Sequence, residues 1–194
     1  MPISLGRLVL DGSAAWKQQP EEAPMGLDIS SFTGLSPAPD AELDEDGFPL
    51  EEDKFMYLDP ELIKWTEENF PGRTAGIKPG IYSFERSAQF RAGSYSGYNG
   101  WRDHLARMAV GMSAEKIWAS GWNGPFVELI NFPDNEGVIG PVVAAKLAKD
   151  FAEFEHRAEE YSASIPDGTD WLENYREWKC AFEMAAKDGA VVLH

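Results

Sequence analysis

Cysteine is almost absent from this chain. Cys180 is the single one among 194 residues, so no internal disulfide can form and nothing indicates an oxidising compartment. Long apolar runs are missing too. No stretch of 18 apolar residues occurs, which argues against a membrane-spanning helix. The short apolar stretch near the N-terminus is broken by Gly6 and Arg7 and followed by Asp11, making a poor signal peptide. A cytoplasmic protein without membrane contact is therefore expected. Histidine is scarce, and His104, His156 and His194 do not stand at the spacing of paired metal ligands. No metal or cofactor is expected. Basic side chains are outnumbered, 17 against 33 acidic, for a net charge of −16. Nucleic acid is accordingly not expected as a partner, because phosphate binding needs a dominant cationic face.

Aromatics are plentiful: seven Trp, eleven Phe and six Tyr in a sequence that is 43% hydrophobic. That supports a packed core and argues against global disorder. The length suits one large domain, or one domain with an appended arm. Charge is spread unevenly. Residues 36–71 hold two basic and twelve acidic side chains, whereas residues 72–110 hold six basic and two acidic. An acidic stretch followed at once by a basic one predicts local complementarity or two opposed surfaces.

Residues 1–58 are rich in Pro, Gly, Ser and acids and have weak periodicity. They read as an extended acidic arm that packs on the domain or is partly disordered. Residues 59–194 read as a single α+β domain. Within the arm, Leu8-Val9-Leu10 and Leu27-Asp28-Ile29 suit edge strands. Asp59 is placed to cap a helix over residues 60–69 whose first position is Pro60, where the missing N–H costs nothing. Alternating β-formers over residues 80–95 predict a strand or hairpin. Asn99 is expected to cap a helix running to Val110 and stopped by Gly111, and Ser113 a second one ending at Gly121. The apolar run 126–132, between Pro125 and Pro133, predicts a buried strand.

Two long C-terminal helices follow. Pro141 opens the first, with Val143, Leu147, Phe151, Phe154, Ala158 and Tyr161 on one stripe. Thr169 or Asp170 caps the second, whose stripe is Trp171, Tyr175, Trp178, Phe182 and Ala185. Ala190-Val191-Val192-Leu193 reads as a final strand. The expected fold class is α+β, a small antiparallel sheet packed against a helical layer.

The most unusual stretch is residues 93–102, GSYSGYNGWR. Ser94, Ser96, Tyr98 and Asn99 sit among glycines ahead of a helix start, with Arg102 in the first turn. Free N–H groups, close backbone approach and a guanidinium are what an anion site needs. Arg86 and Arg91, just upstream, add positive charge. The glycine order fits neither GxxxxGK[ST] nor GxGxxG, and small polar residues also simply turn the chain and cap helices. At about 100° per residue, Arg102 falls at the border of the face formed by Trp101, Leu105 and Ala109, where it must find a carboxylate or carbonyl. His104 lies on the opposite border and can flank the same pocket.

The loop after Phe132 carries Asp134 and Glu136, two carboxylates suited to acid–base work or a metal, or to turn geometry alone. Burial of Arg102 with Asp134 or Glu136 would join the two stretches in space. Glu42, Asp44, Asp46, Gly47 and Asp53 imitate a calcium loop. A Glu in first place, Pro49 and the preceding Ser36-Pro37-Ala38-Pro39 depart from that motif, so a solvated acidic loop is the better reading. Cys180 falls on the polar face of its helix with no neighbouring base, and is not read as a nucleophile.

Ser94-Tyr95-Ser96-Gly97-Tyr98-Asn99 with Trp101-Arg102 forms one recognisable segment. Pro125-Phe126, Glu128-Leu129-Ile130-Asn131-Phe132, Asp134, Glu136-Gly137 and Ile139-Gly140 form another. Both resemble segments of a group of bacterial and phage-borne cytosolic proteins with no assigned activity. The likeness runs over residues 80–194 and leaves the N-terminal arm unmatched. It implies an origin and an intact domain rather than a reaction. Where the resemblance implies a cysteine between Asp134 and Glu136, this chain has Asn135.

Two functions are expected, in order. The first is a non-enzymatic intracellular regulator, borne by a phage or mobile element, that binds a host protein with a basic surface. Its acidic, aromatic-bearing arm (Phe48, Phe55, Tyr57, Trp65) suits such a surface. The second is binding or hydrolysis of a small anionic ligand such as a nucleotide, using Arg86, Arg91, Arg102 and the glycine-rich turn for the anion, with Asp134 or Glu136 as base or metal ligand.

Overall fold

The chain builds two sheets. The computed structural model describes residues 26–194, so the strand expected at Leu8-Val9-Leu10 lies outside the described residues. In chain order the elements are β1 (Gly26–Thr33), β2 (Ser36–Pro37), β3 (Phe55–Leu58), α1 (Pro60–Asn69), β4 (Gly80–Ser83) and β5 (Arg86–Ser94). They continue with α2 (Tyr95–Val110), α3 (Ala114–Ser120), α4 (Val127–Ile130), β6 (Gly137–Ile139), α5 (Pro141–Ser162), α6 (Gly168–Ala185) and β7 (Ala190–Leu193). The main sheet has the order β5-β1-β7-β6 and the smaller one β2-β4-β3. All their pairings are antiparallel. The fold is α+β, with two long C-terminal helices. No helix among the described residues is long and apolar enough to cross a membrane.

Strand alternation buries both faces of β7, and one face and part of the other of β1. Leu27, Ile29, Val191 and Leu193 point into the core made with α2, α5 and α6. Their alternates Ala190, Val192 and Val138 join a second core with Met56, Leu58 and Ile63, flanked by Phe32, Tyr82 and Phe84. Helices therefore cover one face of the main sheet, while the small sheet and α1 cover part of the other.

The helical face is aromatic. Trp178, fully buried, stacks on Trp101 at 5.8 Å and Phe182 at 5.6 Å, and meets the edge of Phe90 at 5.2 Å. The indoles of Trp101 and Trp171 each donate to the other's backbone carbonyl, both at 3.2 Å, binding α2 to α6. The Tyr175 hydroxyl donates to the Phe151 carbonyl at 2.6 Å and ties α6 to α5.

Several local expectations need correction. Leu27-Asp28-Ile29 is not an edge strand: β1 is interior to the main sheet, so part of the chain before residue 59 is built into the sheet. Residues 80–95 do form strands, but β4 and β5 enter different sheets and do not pair with each other. Ser94, not Asn99, caps α2, its hydroxyl accepting the Gly97 N–H at 3.1 Å. Gly97 and Gly100 had read as a turn, yet they lie on the exposed side of a helix whose opposite side buries Tyr98, Trp101 and Leu105. Asp167 stands at the cap of α6 in place of Thr169 or Asp170.

The run 126–132 is a helical turn, not a strand. Phe126, Leu129 and Ile130 are all buried, a three-four spacing that seven apolar-rich residues are too few to reveal. Phe126 itself sits in the left-handed region, φ 61°, where its N–H is accepted by the Asp150 carboxylate at 2.7 Å.

Truncating Trp178 to Ala removes the centre of the aromatic stack and is expected to cost about 3–5 kcal/mol of stability, read as a lowered urea midpoint. A loss below about 1 kcal/mol would mean that the stack is not the core it forms here.

Candidate functional site

The glycine-rich turn and the loop after Phe132 meet. Helix α2 carries Tyr98, Asn99 and Arg102 on one side, and α4 delivers the chain to Phe132 and Asp134. One guanidinium nitrogen of Arg102 donates to the Phe132 carbonyl and the other to the Asn99 side-chain oxygen. The Asn99 amide then donates to the Asp134 carboxylate at 2.5 Å. Arg102 reaches the acid through an amide, not directly.

Arg102 is only 5% exposed. Its guanidinium carbon lies 5.1 Å from the Tyr98 ring centroid and 5.0 Å from that of Trp118. Trp118 in turn donates its indole N–H to the Ile130 carbonyl at 2.9 Å. A buried guanidinium between two rings, with its nitrogens on a carbonyl and an amide, is what keeps a desolvated charge tolerable. It braces two loops from inside.

Burial dominates the chemistry of Tyr98. Its phenol is pushed up to about 12, first by loss of solvent and second by the opposing influences of Arg102, which lowers it, and Asp134, which raises it. A neutral phenol fits a packed wall.

The remaining expected site residues stand apart. Arg86 and Arg91 are exposed on β5, Arg91 lying 3.5 Å from the Asp28 carboxylate. Ser94 is spent on the helix cap, with Ser96 3.2 Å from its hydroxyl. His104 points away toward α5, its Nδ1 2.8 Å from the Tyr161 hydroxyl. It borders a shallow depression with Trp101, Trp171 and Asp170. Glu136 is exposed. Of the expected set, Tyr98, Asn99, Arg102 and Asp134 come together.

A polar clasp went unread in the sequence. Lys146 reaches Glu128 at 2.5 Å, Asp150 at 2.8 Å and the Gly124 carbonyl at 2.9 Å. Arg73 donates to the Glu128 carbonyl at 3.1 Å, and burial lowers the affinity of its guanidinium for a proton. One signal existed: Asp150 stands three residues after Leu147 and directly before Phe151, an acid on an apolar stripe. The exposed Cys180 thiol is raised by partial burial and by Glu183 and Glu177, which leaves little reactive thiolate near neutral pH.

The acidic segment before β3 forms a tight hairpin. Leu43 bridges Pro49, and the Leu50 N–H donates to the Glu42 carbonyl at 2.9 Å. The Asp44 carboxylate accepts the N–H groups of Asp46 and Phe48, both at 2.9 Å, and Gly47 turns at φ 87°. That carboxylate is committed to the turn. Among the described residues no group of three or more His, Cys, Asp or Glu is placed to hold a metal ion. Apolar side chains project from the hairpin into solvent: Leu43 is 45% exposed, Phe48 50% and Leu50 58%. Phe48 packs edge-on against Tyr57 of β3 at 5.6 Å.

Compared with family models, curated proteins and solved structures, the chain finds no match.

The raised Tyr98 phenol fixes a pH window. An unfolded tyrosine ionises near pH 10, while the folded one resists to about 12. This stabilisation is complete below pH 10 and disappears as pH rises through the interval, because the unfolded state sheds its proton first. Absorbance titration of tyrosinate should show Tyr98 ionising only with unfolding, and a Tyr98→Phe variant should lose stability less steeply above pH 10. Free titration of all six tyrosines near pH 10 in the folded chain would contradict the burial of Tyr98.

Proposed function

We propose that this chain is a non-enzymatic interaction protein of the cytoplasm whose acidic hairpin docks on a basic surface of a protein partner. The observation that supports it most is the hairpin composition: Leu43, Phe48 and Leu50 stand exposed in a segment, residues 36–71, with twelve acidic and two basic side chains. Scattered exposed apolar residues need no explanation, but several on one loop ringed by charge of a single sign match the core and rim of a protein interface. Charge steers the encounter, and the apolar centre holds it. Nucleic acid is a poor partner for such a surface, since both carry negative charge. In keeping with the resemblance to phage-borne proteins, the partner is a host protein.

The alternative, an anionic ligand at the glycine-rich turn, has less in its favour. Arg102 is nearly sealed, with its two terminal nitrogens occupied by Phe132 and Asn99, and Arg86 and Arg91 lie on a different element.

Affinity capture from a bacterial lysate, with the native chain and a Phe48→Ser/Leu50→Ser variant, tests the proposal. The native chain should retain a protein of basic isoelectric point, released at about 0.5 M salt as screening shortens the range of charge. The variant should retain at least about tenfold less, as expected when central apolar anchors are removed. Equal capture by both, or a thermal shift of several degrees with a nucleotide and none with basic proteins, would overturn it.

A further inference from the structure

We propose that the groove beside the hairpin accepts the guanidinium of an arginine on the basic partner. This rests on the reading of the hairpin as a docking surface and names the contact that makes it selective. A cavity of about 420 Å³ opens where β3 leaves the hairpin and crosses the uncovered part of the main sheet. Its lining includes Phe32, Phe84, Met56 and Val192, with Phe55 and Tyr57 of β3 and the acids Glu52 and Asp53. Phe32 and Phe84 meet edge to face at 5.2 Å, which fixes that part of it.

Among the described residues no lysine or arginine lines this cavity. Lys54, between its acids and β3, is turned to Glu51 at 2.5 Å. The imidazole of His194, also lining it, is held below its ordinary value by burial, against the pull of Asp28. Near neutral pH it therefore adds little positive charge to the cavity. Aromatic residues and two acids, with no lysine or arginine among the described lining residues, form an electronegative pocket suited to a cationic side chain.

Arginine fits better than lysine. Its flat guanidinium stacks on rings while its five N–H groups reach acceptors in one plane. Ser87 and Gln89, exposed on β5, add side-chain oxygen acceptors to the lining. A second depression of about 360 Å³ shares Ser30, Gln89 and His194 with the first and runs on to Asp28. The groove thus has room for the chain flanking the arginine.

The test is calorimetric titration of the full chain with hexa-arginine and its neutral isostere hexa-citrulline. Glu52→Gln/Asp53→Asn removes the pocket's acids. Glu45→Gln/Asp46→Asn removes the same charge from the hairpin tip, and all four side chains are exposed, so both variants should fold. Expected is binding of hexa-arginine at least about tenfold tighter than hexa-citrulline, a further tenfold loss in the pocket variant and less than about threefold loss in the tip variant. Equal losses in the two variants would overturn the pocket and leave the hairpin reading intact. No binding of hexa-arginine by the native chain would overturn both.

Discussion

The interior position of β1 in the main sheet constrains everything else in this molecule. An interior antiparallel strand must satisfy its backbone on two sides and its side chains above and below. Here β5 and β7 supply the hydrogen bonds, the helices take Leu27 and Ile29, and Phe32 turns to the second core. The small sheet answers that last demand: Met56 and Leu58 of β3 bury against Val138, Ala190 and Val192. The acidic hairpin is the loop leading into β3. It is therefore fixed to the sheet at its base while its tip remains in solvent.

Two polar devices hold the other end of the molecule. Arg102 spans α2 and the loop after Phe132, and Lys146 gathers Glu128, Asp150 and the Gly124 carbonyl. Both lie where the chain has little regular structure, between α3 and β6, and there side-chain hydrogen bonds take over the role of a ladder. Their geometry is that of internal bracing: Arg102 sits between two rings on a carbonyl and an amide, and Lys146 is paired with two carboxylates.

Much of this was legible in the residues. Asp59-Pro60 marked a helix start, Gly111 and Gly121 marked helix ends, and the Trp171, Tyr175, Trp178, Phe182 stripe marked α6, because each rests on local backbone or periodicity rules. What failed was decided by distant partners. Residues 126–132, expected as a buried strand, form a helical turn, and Asp150 accepts the Phe126 N–H at its start from 24 positions away. The meeting of Arg102 with the loop after Phe132 was inferred from its place on a helical wheel. Its contacts, a carbonyl and the amide of Asn99, and its cover, Trp118, depend on packing that no spacing encodes. The interior position of β1 was hidden because its polar outer face, Asp28 and Ser30, reads as an edge.

A rigid sheet carrying an acidic loop with exposed apolar residues is a preorganised surface, and preorganisation lowers the ordering cost of association. Amide hydrogen exchange over residues 43–58, with and without an arginine-rich protein segment, tests this most directly. Expected are slow amides at Met56 and Leu58 in the free chain, and residues 43–50 becoming slow only when the basic segment is added. Unchanged exchange at 43–50 with new protection around Arg102 instead would contradict it.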